Sequence, residues 1–260
     1  MSAMSEGTEI VFAEVDGRAL RLDRYDPTGG SSLRTALVMV HGGGWRAGDR
    51  SMMRLRAQTA ASLGFTCLAV EYRLLGEAPW PAPLDDVTTA LHWALAHVDD
   101  LDVDPDRVVL MGCSAGAHLA LLAAAERENA AAAVVAFYPP AVIEGERAER
   151  LLGGRPTSDA ARQVSPLSRV ESGFPPTLLI HGAADEMVAP EASASLHERL
   201  VAVGSTSELH VFADQIHEFD AAPTYCDLTQ RLAAVFLRRT LIEPERFAAE
   251  QQEFNPLLQK

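Results

Sequence analysis

The 260-residue sequence has only three cysteines, Cys67, Cys113 and Cys226, far apart and without a CxxC pair. That number and spacing exclude a disulfide framework and argue against a thiolate zinc site. Basic residues are scarce, 22 Lys and Arg against 36 Asp and Glu, for a formal net charge of -14. Nucleic acid and anionic membrane surfaces both call for a basic patch, so neither is an expected partner. No 18 apolar residues run unbroken, so no transmembrane span is expected. The opening "MSAMSEGTEIVF" lacks the basic and apolar regions of a secretory signal, which leaves a cytoplasmic protein as the expectation. Also missing are a G-x-G-x-x-G after a strand, a glycine loop ending in Gly-Lys-Ser/Thr, and an HExxH. With no clear acidic ligand cluster either, no cofactor and no metal are expected.

What is present is an apolar chain, 48% hydrophobic and long enough for one large domain. "EIVFAEV" (9–15) and "ALRLDRY" (19–25) flank Asp16-Gly17-Arg18, a hairpin signal. Further strands are read at 35–45, 65–74, 106–112, 132–139, 176–182 and 207–213. Helices are read at 52–64, 84–97, 114–127, 190–203 and 223–239. The later strands are continuous apolar runs that alternate with helices. The fold class is therefore α/β, a mostly parallel central sheet with helices on both faces. One domain spans 1–260, with 140–173 an irregular, cap-like excursion and 241–260 a C-terminal tail. The tail opens with a short helix having Pro244 at its first position. It either frays or docks on a neighbouring subunit as a homodimer.

Two glycine-rich junctions carry the chemistry. Gly112-Cys113-Ser114-Ala115-Gly116 is a G-x-S-x-G where a strand meets a helix. A serine on such a turn projects Oγ at the carboxyl end of a sheet, and small neighbours give the backbone room. A serine hydroxyl needs a base, and the base an orienting acid. On this scaffold the chain order is serine, acid, histidine. The strand at 176–182 releases "AADEMVAPE", which makes Asp185 the acid, with Glu186 as its fallback. The strand at 207–213 releases "DQIHEFD", which makes His217 the base. The other seven histidines lie on helices, within a strand, or out of order. The second junction, "VMVHGGGW" (38–45), is of the type whose backbone N–H groups hold a tetrahedral oxyanion.

"HGGGW", "EYRL", "WPAPLDDVTTALHW", "GCSAGAHLA", "PPTLLIHGAADEMV" and "IHEF" follow one another over roughly 35–220. In these pieces the chain resembles the α/β-hydrolase superfamily, and more narrowly its hormone-sensitive-lipase-like and feruloyl-esterase-like bacterial carboxylesterases. The resemblance implies an α/β-hydrolase fold with a minimal cap. It implies Ser114 as nucleophile, His217 as general base and Asp185 as its partner. It gives the oxyanion hole to Gly42, Gly43 and Ala115, leaving open which two loop glycines donate. Trp45 is either a pocket wall or core packing. Tyr138, Met187 and Phe219 either line an acyl pocket or pack ordinarily. Tyr72-Arg73 and Asp85-Asp86 match the family and read as structural. Cys113 stands where many relatives have Asp, Glu or His; it is expected to point into the sheet as a small hydrophobe.

The expected function is a serine carboxylesterase acting on small soluble esters, with short acyl groups favoured. The alternatives are a kynurenine-formamidase-like arylformamidase, a biosynthetic ester or lactone hydrolase, and a ligand-binding protein that has lost catalysis.

Overall fold

The computed structural model describes residues 7–28, 30–126 and 131–258. Strands β1 (Thr8–Val15) and β2 (Arg18–Tyr25) form the hairpin read from the sequence. Its turn holds Asp16 at φ 52° and Gly17 at φ 78°. Two positive φ values suit the right-handed twist of the strands they join. Then come β3 (Ala36–Val40), α1 (Arg54–Ser62), β4 (Thr66–Val70) and α2 (Ala82–Ala96). After these lie β5 (Val108–Cys113), α3 (Ala115–Ala125) and β6 (Ala133–Phe137). Arg127, the last residue expected in the helix over 114–127, falls outside the described residues.

The segment 140–173 is not irregular throughout. It contains α4 (Gly145–Leu152), α5 (Ser158–Gln163) and α6 (Pro166–Arg169). Its Ile143, Ala148, Leu151, Val164 and Val170 are buried against the main core, which seats the excursion firmly. The chain closes with β7 (Thr177–Gly182), α7 (Glu191–Ala202), β8 (Ser207–Phe212) and α8 (Pro223–Leu237). A π-helical turn at Arg238–Ile242 leads to α9 (Pro244–Phe254), where Phe254 is exposed. Among the described residues no helix is long and apolar enough to cross a membrane.

The sheet order is β1-β2-β4-β3-β5-β6-β7-β8. Only β1–β2 and β2–β4 pair antiparallel; the remaining neighbours are parallel. Strands β3 to β7 are buried at every residue, as strands covered on both faces must be. Alternate residues feed two cores. Val38, Leu68, Leu110 and Val134 face α2, α3 and α7, whereas Met39, Ala69, Met111 and Val135 face α1 and α8. From β3 the chain crosses to β4 on one side and later returns to β5 on the other. That reversal opens a crevice at the carboxyl ends of β3 and β5, where open α/β sheets bind ligands.

Candidate active site

The crevice receives both glycine-rich junctions. β5 ends at Cys113 and α3 begins at Ala115, so Ser114 alone makes the turn, with φ 52° and ψ -117°. Such a conformation costs a non-glycine residue roughly 1–3 kcal/mol. Neighbouring structure holds it: Ser114 N–H donates to Phe137 O (2.9 Å), and His118 N–H donates to Ser114 O (3.0 Å). The flanking glycines are required by close backbone approach. A methyl group on Gly112 would overlap Gly116 O, and one on Gly116 would overlap Val40 O. Cys113 is buried in the core that faces α1 and α8, and burial pushes its thiol up to about 12. It is thus a neutral packing group rather than a competing nucleophile.

Asp185 and His217 sit on the loops after β7 and β8 and converge on Ser114. His217 Nε2 lies 3.0 Å from Ser114 Oγ, and His217 Nδ1 lies 2.6 Å from Asp185 Oδ2. The other oxygen, Asp185 Oδ1, accepts from the backbone N–H groups of Met187 and Val188, each at 2.9 Å. Asp185 is buried, so these donors fix its carboxylate. Glu186, the fallback acid, is exposed.

His181, at the end of β7, braces the acid loop from below. Burial lowers its pKa, so it is neutral, with Nε2–H donating to Val188 O (2.9 Å). Its Nδ1 then accepts from the Ser193 hydroxyl at 2.7 Å.

The β3 loop is pinned from one side. His41 stacks on Tyr72, ring centroids 4.3 Å apart, and burial lowers the His41 pKa. The neutral ring donates Nδ1–H to Gly42 O at 2.7 Å. Tyr72 donates its hydroxyl to His41 O (3.1 Å) and Gly42 O (3.3 Å). In a trans peptide the N–H points opposite to the C=O. Anchoring these two carbonyls therefore turns the N–H groups of Gly42 and Gly43 away from Tyr72. Gly43 has φ 106°, and a methyl there would overlap Ala47 O, so only glycine fits.

Of the four residues read as pocket wall or packing, three are interior. Trp45 is 3% exposed and donates Nε1–H to His118 Nδ1 at 3.2 Å. Burial lowers the His118 pKa to about 4, and its Nε2–H reaches Val164 O at 2.7 Å. A chain of hydrogen bonds thus runs from the β3 loop through α3 to the 140–173 segment. Tyr138 is buried, with its ring 4.6 Å from that of His217. Phe219 is buried against Phe212, ring centroids 5.0 Å apart. Met187, by contrast, is 68% exposed on the rim.

Beneath the base lies a buried ion pair that no motif or spacing announces. Arg56 Nε donates to Asp220 Oδ2 (2.6 Å), and Tyr138 donates its hydroxyl to Asp220 Oδ1 (2.7 Å). Arg56 is the signal that could have been noticed, a charge within the small apolar residues of α1. Nothing in the sequence named its partner 164 residues away.

Comparison with known proteins identifies the family. The sequence profile of the BD-FAE family matches residues 22–200. Esterase LipC of Mycobacterium tuberculosis is 33% identical over 194 residues, 64% of this chain and 48% of its own. Esterase LipQ of the same organism is 32% identical over 218 residues, 72% of this chain and 51% of its own. The chain thus spans about half the length of these curated relatives. A fungal non-reducing polyketide synthase, mapC of Penicillium brevicompactum, is 27% identical over 92% of this chain and 14% of its own. Among solved structures, the thermophilic esterase Est2 of Thermogutta terrifontis, with propionate bound, superposes with a TM-score of 0.80. It is 26% identical and covers 92% of this chain and 96% of its own. With more than half of its length matched by the family profile, and with an α/β-hydrolase sheet, the chain belongs to the BD-FAE family.

Proposed function

We propose that this protein is a serine carboxylesterase acting on small esters through an acyl-enzyme. The observation that carries this reading is the continuous hydrogen-bond chain from Ser114 Oγ through His217 to Asp185, at the crevice where the sheet reverses. Ser114 attacks the ester carbonyl as its hydroxyl proton passes to His217 Nε2. The negative charge on the carbonyl oxygen is held by backbone N–H groups of Ala115 and of Gly42 or Gly43, each donor worth roughly 3–4 kcal/mol in such holes. Asp185 holds the imidazole in the required tautomer and faces the imidazolium that forms. The tetrahedral intermediate collapses, and the alcohol leaves with the proton from His217. Water, deprotonated by His217, then attacks the acyl-enzyme and returns Ser114.

Short acyl chains are favoured. Est2 has been captured with propionate and with butyrate bound, and phosphonylated by sarin. Met187 on the rim is the proposed contact for the outer part of a substrate. Trp45, Tyr138 and Phe219 shape the site from behind it.

Hydrolysis of p-nitrophenyl acetate, butyrate and octanoate by wild type and Ser114→Ala tests the reading. Wild type is expected to turn over the two shorter esters faster, and the variant to lose at least about a thousandfold. Equal rates in the two proteins would sink it. The polyketide-synthase match favours a second reading, a hydrolase for one specialised ester or lactone of a biosynthetic route. That case is marked by lactone turnover without nitrophenyl-ester turnover.

A further inference from the structure

Glu218 follows the base and stands in the left-handed region, with φ 58°. The turn brings its side chain back over the first glycine of the β3 loop. A methyl group built on Gly42 would lie 3.3 Å from Glu218 Oε1 and 3.5 Å from Ser114 Cβ. The Cys113 carbonyl oxygen (3.2 Å), a Glu218 carboxylate oxygen and Ser114 Cβ thus surround the place that a Gly42 side chain would take. Glu218 is half-buried, and among the described residues no hydrogen bond or ion pair engages its carboxylate. Its neighbours differ: Asp185 and Asp220, on the same pair of loops, are fully engaged. Arg147 comes to this rim, but its guanidinium donates to Met187 O at 2.9 Å.

An unpaired carboxylate here opposes ester hydrolysis. It repels the oxyanion that develops beside Gly42, and it does so in a partly desolvated cleft where charges interact strongly. A cation on the substrate reverses the sign, since it pairs with Glu218 and screens it from the oxyanion. The wider charge pattern points the same way. Glu186 and Asp214 are exposed on the two loops that carry Asp185 and His217. The whole chain, at a formal charge of -14, draws cations and repels anions. Glu218 also shares its loop with His217, the group that protonates the departing alcohol, so the alcohol portion is the part that meets it.

We propose that Glu218 is a specificity residue that takes a protonated amine on the alcohol portion of the ester. The proposal rests on the serine-esterase reading for its chemistry, and its test separates the two. Dimethylaminoethyl butyrate and isoamyl butyrate share a shape and differ by one N–H cation for one C–H. Wild type is expected to prefer the cationic ester. Glu218→Gln is expected to cut that preference about tenfold, the scale of one charge-assisted hydrogen bond. The loss should fall on KM for the cationic ester, while kcat/KM for the neutral one rises as the fixed charge is removed. Glu218→Asp, which keeps the charge, should retain part of the preference.

Calorimetric binding of dimethylaminoethanol and isoamyl alcohol gives a second readout without chemistry. Ser114→Ala should still bind the amine, and Glu218→Gln should not. Ester hydrolysis with the same charge preference in wild type and Glu218→Gln overturns the proposal and leaves the esterase reading standing. Amine binding through Glu218 with no ester hydrolysed by wild type does the reverse. Equal amine binding by wild type and Glu218→Gln also overturns the proposal.

Discussion

At the scale of single residues, Asp185 is the clearest case of one side chain doing two jobs. One oxygen takes two backbone N–H groups, and the other faces His217 Nδ1. Asp185→Asn keeps the volume but places an amide where a carboxylate oriented the imidazole. The expected result is a fall of about ten-thousandfold in kcat on p-nitrophenyl butyrate, with the far-ultraviolet circular dichroism unchanged. A loss of only a few-fold would remove Asp185 from the proposed mechanism. Ser114, Asp185 and His217 could be picked out of the sequence because motif, chain order and loop position coincide there. His41, His118 and His181 could not. Each sits in an apolar run with no mark of its partner, and the partners are backbone carbonyls or a distant Trp or Ser. A sequence does not display main-chain acceptors, so the bracing of the site is a property of the fold alone.

At the scale of elements, His118 links three of them. It takes the Trp45 N–H from the β3 loop, rides on α3, and gives its own N–H to Val164 in the 140–173 segment. Burial holds its pKa near 4, against an ordinary value of 6.5. A histidine depressed in the folded state contributes stability above its unfolded pKa and loses it as pH falls toward the folded one. Between pH 7 and pH 5 that loss amounts to about 2 kcal/mol. The thermal midpoint of wild type should therefore drop more over this interval than that of His118→Leu, although the variant starts lower. Parallel pH profiles for the two proteins would mean that His118 carries no such burden.

The same segment shows where element reading stops. Helices of eight, six and four residues present too few turns for a 3.6-residue period to emerge. Strands β3 to β7 were legible for the opposite reason: each is an unbroken apolar run closed by polar or glycine residues. Where a helix is expected over 52–64, a 3₁₀ turn over Arg50–Met53, capped by Asp49 accepting from Ser51 N–H, leads into α1.

At the scale of the whole molecule, continuous apolar strands interleaved with helices imply a mostly parallel sheet but not the order of its strands. That order decides where the crevice opens, and it is a property of crossovers rather than of any local run. Long-range ties hold the arrangement. Arg56 on α1 and Asp220 beyond the base form an interior ion pair that also receives the Tyr138 hydroxyl, and the Tyr138 ring lies against His217. Removing one partner leaves the other charge buried alone. Arg56→Met is expected to destabilise the fold by about 3–5 kcal/mol, read as a lower urea midpoint. A midpoint within error of wild type would show that the pair contributes little.

The order of the three proposed catalytic residues along the chain also has a meaning in time. Synthesis delivers Ser114 first, Asp185 next and His217 last, with β8, the strand that positions the base, completed only at Phe212. A nascent chain therefore carries Ser114 through the next 103 residues of elongation before the proposed base is made. On the proposed mechanism, the site is complete only when the final strand has joined the sheet.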